Sequence, residues 1–310
     1  MADKIKIVEV GPRDGLQNEK QFVPTEIKLL FIDKLVDAGL KHIEATSFVS
    51  PKWIPQLADN DLILSALRAN QTYQDISFPV LIPNLKGLQL AITHSATHIA
   101  FFTAASETFN QKNIHCSIEE SFGRLNEMLP LIKTHRLNSR GYISCALGCP
   151  YEGKINPQAV LTVAKKLLDL GCDEISIGDT IGVGTPKQAY ELFALLTKEI
   201  PAHKLALHFH DTYGQALANI YAVLDLGIRT IDSSIGGLGG CPYAKGASGN
   251  VSTEDVVYML HGMGFETGLN LPKLIDAGLF ITNYLDISPR SKVCQALLNN
   301  NSEEKIKGRA

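Results

Sequence analysis

Two hydrophobic rhythms alternate along this chain. Short runs such as KIKIVEV (4–10) and LALHFH (205–210) are apolar or alternate with polar residues, the pattern of strands. Longer stretches such as TEIKLLFIDKLVD (25–37) space apolar residues three and four apart, the pattern of helices with one buried face. The junctions repeat. Asp37-Ala38-Gly39 leads into LKHIE, Asp169-Leu170-Gly171 into CDEIS, and Asp225-Leu226-Gly227 into IRTID. Each reads as a helix stopped by glycine and followed at once by a strand. Strands are expected near 4–10, 40–46, 78–82, 97–102, 140–146, 173–178, 204–210 and 229–234. Helices are clearest at 24–38, 117–136, 157–170, 186–199, 214–226 and 252–263. Pro24, Pro157 and Pro186 stand where a first helical turn would begin.

Eight strand–helix units in about 265 residues match a (β/α)₈ TIM barrel, an α/β fold. A doubly wound sheet is the alternative, but no GxGxxG follows the first strand. The expected organisation is one catalytic barrel domain over 1–310. The barrel occupies about 4–265, extra C-terminal helices about 270–298, and a polar tail 299–310.

Composition narrows the class. Of 310 residues, 45% are hydrophobic and the net charge is −3, which argues against nucleic acid as a partner. No apolar run approaches the roughly 20 residues needed to span a bilayer, so no membrane is expected. MADKIKIVEV starts as a strand with no targeting pattern, which predicts a cytoplasmic location. The six cysteines (116, 145, 149, 172, 241 and 294) are expected to be reduced.

Barrel enzymes carry their chemistry at the C-terminal ends of strands. Asp14 follows the first strand, Glu44 ends the second, Asp179 follows the sixth, and His208 and His210 end the seventh. A glycine loop bearing Cys241 and Asn250 follows the eighth. Residues i and i+2 of a strand share a face, so both imidazoles reach one metal ion. Asp14, His208, His210 and Asn250 form the candidate ligand set. Two nitrogens and two oxygens leave two octahedral positions open, which favours Mg²⁺ or Mn²⁺ with a chelating substrate. Co²⁺ and Zn²⁺ also suit these donors, and two histidines with a carboxylate also describe a non-haem iron triad. Each residue has a plainer reading. Arg13 and Asp14 fit a turn ion pair, and Asp179 fits a carboxylate shaping its own turn. Glu44 in an apolar strand needs a partner such as Arg13. Asp211 reads as the cap of the following helix.

Six stretches carry a resemblance: VEVGPRDGLQNEK (8–20), IEATSFVSPKW (43–53), RGYISCALGCPYEGK (140–154), GDTIGVGTP (178–186), HFHDTYGQALAN (208–219) and GGLGGCPYAKGASGN (236–250). In order and spacing they resemble the 3-hydroxy-3-methylglutaryl-CoA (HMG-CoA) lyases. These belong to a wider family of barrel metallolyases named for an Asp-Arg-Glu site. The resemblance implies retro-Claisen cleavage of an acyl-CoA, HMG-CoA, to acetyl-CoA and acetoacetate with a divalent cation, as in leucine breakdown and ketone-body formation. It implies metal ligation by Asp14, His208, His210 and Asn250. It places Arg13 at the thioester oxygen and Glu44, Asp179 and Cys241 in the pocket. A homodimer is expected from the extra C-terminal helices and from the family.

The implied chemistry suits these residue types. A proton must leave a tertiary hydroxyl, and an enolate must be stabilised. Arg13 supplies a permanent charge and a fork of donors for the enolate oxygen. His208 and Asp179 are the two candidates for the proton acceptor, and Cys241 for protonating the enolate carbon or excluding water. Two alternatives stay close: a lyase for a longer 3-hydroxy-3-alkylglutaryl-CoA, and a Claisen-type acyltransferase of the isopropylmalate or homocitrate synthase kind. The latter usually carry a long regulatory region that about 40 residues beyond the barrel cannot supply. A non-enzymatic scaffold would not need the strand-end constellation.

Overall fold

The structure, a computed structural model, describes residues 3–240 and 249–298. Eight parallel strands follow one another around a barrel: β1 (Lys6–Glu9), β2 (Thr46–Ser47), β3 (Val80–Leu81), β4 (His98–Ala104), β5 (Asn138–Ser144), β6 (Glu174–Asp179), β7 (Leu205–Phe209) and β8 (Thr230–Ser233). The sheet runs β1-β8-β7-β6-β5-β4-β3-β2. A parallel bridge between Glu9 and Ile43 closes the ring. There the Glu9 amide donates to the His42 carbonyl at 2.9 Å, and the Glu44 amide to the Glu9 carbonyl at 2.8 Å. The expected (β/α)₈ barrel is therefore the observed one.

Local sequence explains the joints. Pro157 and Pro186 open the helices Pro157–Asp169 and Pro186–Leu196, where the missing N–H costs nothing. Ser117 and Glu120 form a reciprocal cap at the start of Ile118–Thr134. Helices over 25–37, 216–224 and 253–262 fall where the periodicity predicts them, and Leu271–Tyr284 supplies the C-terminal extension. The N-cap of Ala216–Leu224 is Gln215 and not Asp211 as expected, though Asp211 still accepts the amide of Ala216, the first helical residue, at 3.0 Å.

The second and third strands differ from expectation. β2 is two residues long, and His42 and Ile43 make only isolated bridges. β3 is cut to Val80–Leu81 because Pro79 and Pro83 on either side have no N–H to give a ladder. Glu44 thus precedes its strand's ladder instead of ending it, and Asp179 is the last residue of β6 instead of following it.

Side chains divide by strand phase. Ile143, Ile175, Ile177, Leu207 and Ile231 belong to the large core under the helices, whereas Leu81, Ala100 and Tyr142 form a separate small cluster. Between them the even-numbered residues of β5 to β8 include Arg140, Tyr142, Ser176, His208 and Asp232, all buried. So the barrel interior carries buried charged and polar side chains from β5 to β8 beside a small apolar cluster from β3 to β5. Among the described residues no helix is long and apolar enough to cross a membrane.

Candidate active site

At the C-terminal end of the strands lies a cavity of about 560 Å³, with Arg13, Asp14, His208 and His210 in its wall. After β1 the chain turns tightly through Gly11–Gly15, and the amides of Arg13, Asp14 and Gly15 all reach the Val10 carbonyl at 2.8–3.2 Å. Gly15 permits this turn to sit on the loop after β8. A Cβ there would lie 2.7 Å from Ser234 Oγ and 2.9 Å from Leu238 Cβ. Asn250 is brought in by a bridge to His210. The preceding Gly249 passes so close to Gly239 that a Cβ would lie 2.3 Å from its carbonyl.

Donor atoms of Asp14, His208 and His210 all lie within 4.8 Å of one another. His208 Nε2 is 3.8 Å from Asp14 Oδ2, which also accepts Asn250 Nδ2 at 2.8 Å. His210 Nδ1 is buried and has no hydrogen-bond partner among the described residues. A buried nitrogen left unpaired beside a carboxylate and a second imidazole fits a divalent cation. Asn250 turns its amide nitrogen, not its oxygen, to Asp14.

The electrostatics keep this set ready for an ion. Burial alone would raise the Asp14 carboxyl, but Arg13, His208, His210 and the Asn250 amide outweigh it and hold it well below the carboxylate range. Burial, reinforced by His208 and opposed by Asp14, lowers His210 to about 4, so it is neutral and able to ligate. Arg13 is 6% exposed; burial opposes its charge, and Glu44 and Asp14 override burial and keep it protonated.

Glu44 stands behind Arg13 and does not line the cavity. Its Oε1 accepts Arg13 Nε at 2.5 Å, and its Oε2 accepts the Tyr142 hydroxyl. With Arg13 Nη1 on Asp14 Oδ1 at 2.6 Å, the guanidinium is clamped from two sides. Asp179 is also turned away from the cavity wall. Its carboxylate accepts the amides of Val183 and Gly184 at 3.2 and 2.8 Å, the turn-shaping role. Burial raises its pKa to about 6 against those amides. Of the two candidate proton acceptors, His208 lines the cavity. Cys241 lies outside the described residues.

Sequence reasoning missed Arg140, Tyr142, Ser176 and Asp232. Asp232 Oδ1 accepts Arg140 Nη2 at 2.6 Å, while its Oδ2 lies 2.7 Å from Ser176 Oγ and 3.1 Å from His208 Nδ1. For Arg140, Tyr142 and Asp232 the signal was an ionisable residue inside a strand pattern, as in SRGYIS and IRTID; Ser176, in EISIGD, carried none.

Known proteins place this geometry. A family model described as HMGL-like matches residues 4–281. The chain is 55% identical over 293 residues to the mitochondrial hydroxymethylglutaryl-CoA lyase of Rattus norvegicus, covering 94% of this chain and 89% of that one. It is 55% identical to the cytoplasmic 3-hydroxy-3-methylglutaryl-CoA lyase of the same species, covering 96% and 85%. The crystal structure of hydroxymethylglutaryl-CoA lyase from Pseudomonas aeruginosa superposes with a TM-score of 0.93 at 48% identity, covering 97% of this chain and 99% of that one. That family and the Asp14–His208–His210 cluster together support a metal cofactor. The chain belongs to the HMGL-like family.

Proposed function

We propose that the chain is a hydroxymethylglutaryl-CoA lyase, a carbon–carbon lyase that cleaves (S)-3-hydroxy-3-methylglutaryl-CoA to acetyl-CoA and acetoacetate. The observation that carries this reading is the convergence of Asp14, His208 and His210 beside a clamped Arg13 on the wall of one cavity, in a chain 55% identical to lyases of that name. The whole of residues 1–310 serves one catalytic unit.

Asp14, His208, His210 and Asn250 would hold the ion, Mg²⁺ or Mn²⁺ on this donor set. A bound divalent cation supplies Lewis acidity, lowering the pKa of a substrate hydroxyl and polarising a carbonyl. Arg13 faces the thioester oxygen and stabilises the charge that grows there as the C2–C3 bond breaks. Glu44 and Tyr142 fix the guanidinium, so little reorganisation is needed in that step. Nε2 of His208 faces Asp14 and serves there as ligand or as acceptor of the hydroxyl proton. The His208→Gln variant separates the two: a ligand loses metal affinity, an acceptor loses turnover alone. Cys241 returns a proton to the enolate carbon. The apolar wall of Leu81, Ile82, Phe101, Phe102 and Met128 keeps water from the enolate. The reading includes a homodimer and a cytoplasmic location.

Acetoacetate release from HMG-CoA by metal-stripped protein is the test. Release is expected only after Mg²⁺ or Mn²⁺ is restored. No release in either state by folded protein would contradict the reading. Free-thiol formation from acetyl-CoA and an α-keto acid would then indicate the condensing reaction.

A further inference from the structure

One carboxylate in the barrel interior holds a ring of the site without itself lining the cavity. Asp232 is 2% exposed, on β8, and pairs in register with His208 on β7. Both side chains sit in the interior phase, so they meet across one strand spacing, with Asp232 Oδ2 3.1 Å from His208 Nδ1. Two donors from two further strands fix the carboxylate: Arg140 Nη2 on Oδ1 at 2.6 Å and Ser176 Oγ on Oδ2 at 2.7 Å. Beside a guanidinium at that distance the carboxyl is ionised and can only accept. Nδ1 of His208 must therefore carry the ring proton. In the neutral ring Nε2 then keeps its lone pair, and it lies 3.8 Å from Asp14 Oδ2. Tyr142 packs edge-on against the His208 ring at 5.6 Å and 77°, and His210 lies 5.4 Å away, so the ring is also confined laterally.

We infer that Asp232 is a positioning residue for the site: through the Nδ1 hydrogen bond it fixes the tautomer and rotation of His208 that present Nε2 to the cavity. The simpler account makes Asp232 only the counter-charge of a buried arginine. The geometry exceeds that account. One oxygen serves Arg140, and the other is oriented by Ser176 towards His208. Arg140 also has a second carboxylate, Glu174, at 2.9 Å. The inference rests on the metal-site reading only for its second readout. The first is a property of the metal-free ring.

The experiment uses the full chain labelled with ¹⁵N-histidine, and long-range ¹H–¹⁵N correlation identifies the protonated nitrogen of each ring. His208 is assigned by its disappearance in His208→Gln. At a pH high enough for the ring to be neutral, metal-free wild type should show His208 protonated at Nδ1 and not at Nε2. In Asp232→Asn an amide can donate to Nδ1, so the Nε2-protonated tautomer should appear. Mn²⁺ affinity by titration should fall about 10–100-fold, the scale for removing the group that orients a metal-bound imidazole. A second variant guards against loss of folding. Asp232→Asn with Arg140→Gln removes both charges of the pair and leaves Glu174 with Lys6, 2.5 Å away. The double variant should be folded and still show the altered tautomer and weakened Mn²⁺ binding. Wild-type tautomer and affinity in Asp232→Asn, or their return in the double variant, would overturn the inference and leave Asp232 a counter-charge. Neither readout uses HMG-CoA, so failure of the lyase reading would not be mistaken for failure of this one.

Discussion

Both mouths of the barrel gather charged side chains and histidines, and they use them differently. At the N-terminal mouth a cavity of about 310 Å³ is lined by Lys6, His42, His98, Arg140, Glu174 and His203, among others. Its cations are paired in place: Lys6 and Arg140 both reach Glu174, at 2.5 and 2.9 Å, and Arg140 also reaches Asp232 at 2.6 Å. Burial, with Lys6 next to it, lowers His42 to about 4, so that ring adds no charge. At the C-terminal mouth the same kinds of residue converge on one point. Among the described residues, only Asp14, His208 and His210 bring three such donors within 4.8 Å of one another. Charge density therefore does not mark the site; the convergence of three metal-type donors on one point does. A buried His210 Nδ1 with no partner among the described residues is the sign of a place built for something else to bind.

The largest effect that would break this contrast concerns Arg13. Arg13→Gln should lower turnover by ~10²–10³ while Mn²⁺ affinity holds, since one charge-stabilising donor is lost. Near wild-type turnover would remove Arg13 from the mechanism.

A smaller effect concerns stability beneath the site. Glu254 accepts the Gly236 amide at 2.9 Å, and burial raises its pKa from 4.5 to about 8; Glu9, also fully buried, is raised to about 7. Between these values and 4.5 the folded chain keeps protons that the unfolded chain has released. Folding stability from these groups is then present at low pH and lost as pH rises through the folded pKa values. Melting temperature should fall from pH about 5.5 to about 8.5, and Glu254→Gln should flatten that fall. An unchanged slope would mean that Glu254 does not titrate in the folded chain.

The smallest effect sharpens the comparison from the other end. His203 is exposed at the N-terminal mouth. His203→Ala should leave turnover within about twofold of wild type, as for a surface substitution away from any network. A large loss would make that mouth part of the machinery.

Sequence legibility follows the same division. His208 and His210 were readable because strand period puts i and i+2 on one face. Asp14 and Asn250 were readable because a barrel gathers strand ends on one rim. Asp232, Ser176 and Arg140 were not. Their meeting depends on which residues of β5, β6 and β8 stand at one level inside the barrel, and that register is set by closure, not by local pattern. For Glu44 and Asp179 the plain roles, a partner for Arg13 and a carboxylate shaping its own turn, stood among the readings of the sequence, but nothing local chose them over a place in the pocket. Whether a strand-end carboxylate faces the cavity, backs an arginine or ties a loop depends on side-chain direction. The shortening of β2 and β3 was half legible, since Pro79 and Pro83 could have been read as ladder breaks.

The central claim is that the convergent donors at the C-terminal mouth form one divalent-metal site. Calorimetric titration of Mn²⁺ into metal-stripped wild type, beside His210→Ala, tests it most directly. The account predicts one site per chain in wild type and its loss in His210→Ala. Equal Mn²⁺ binding by both proteins would contradict it.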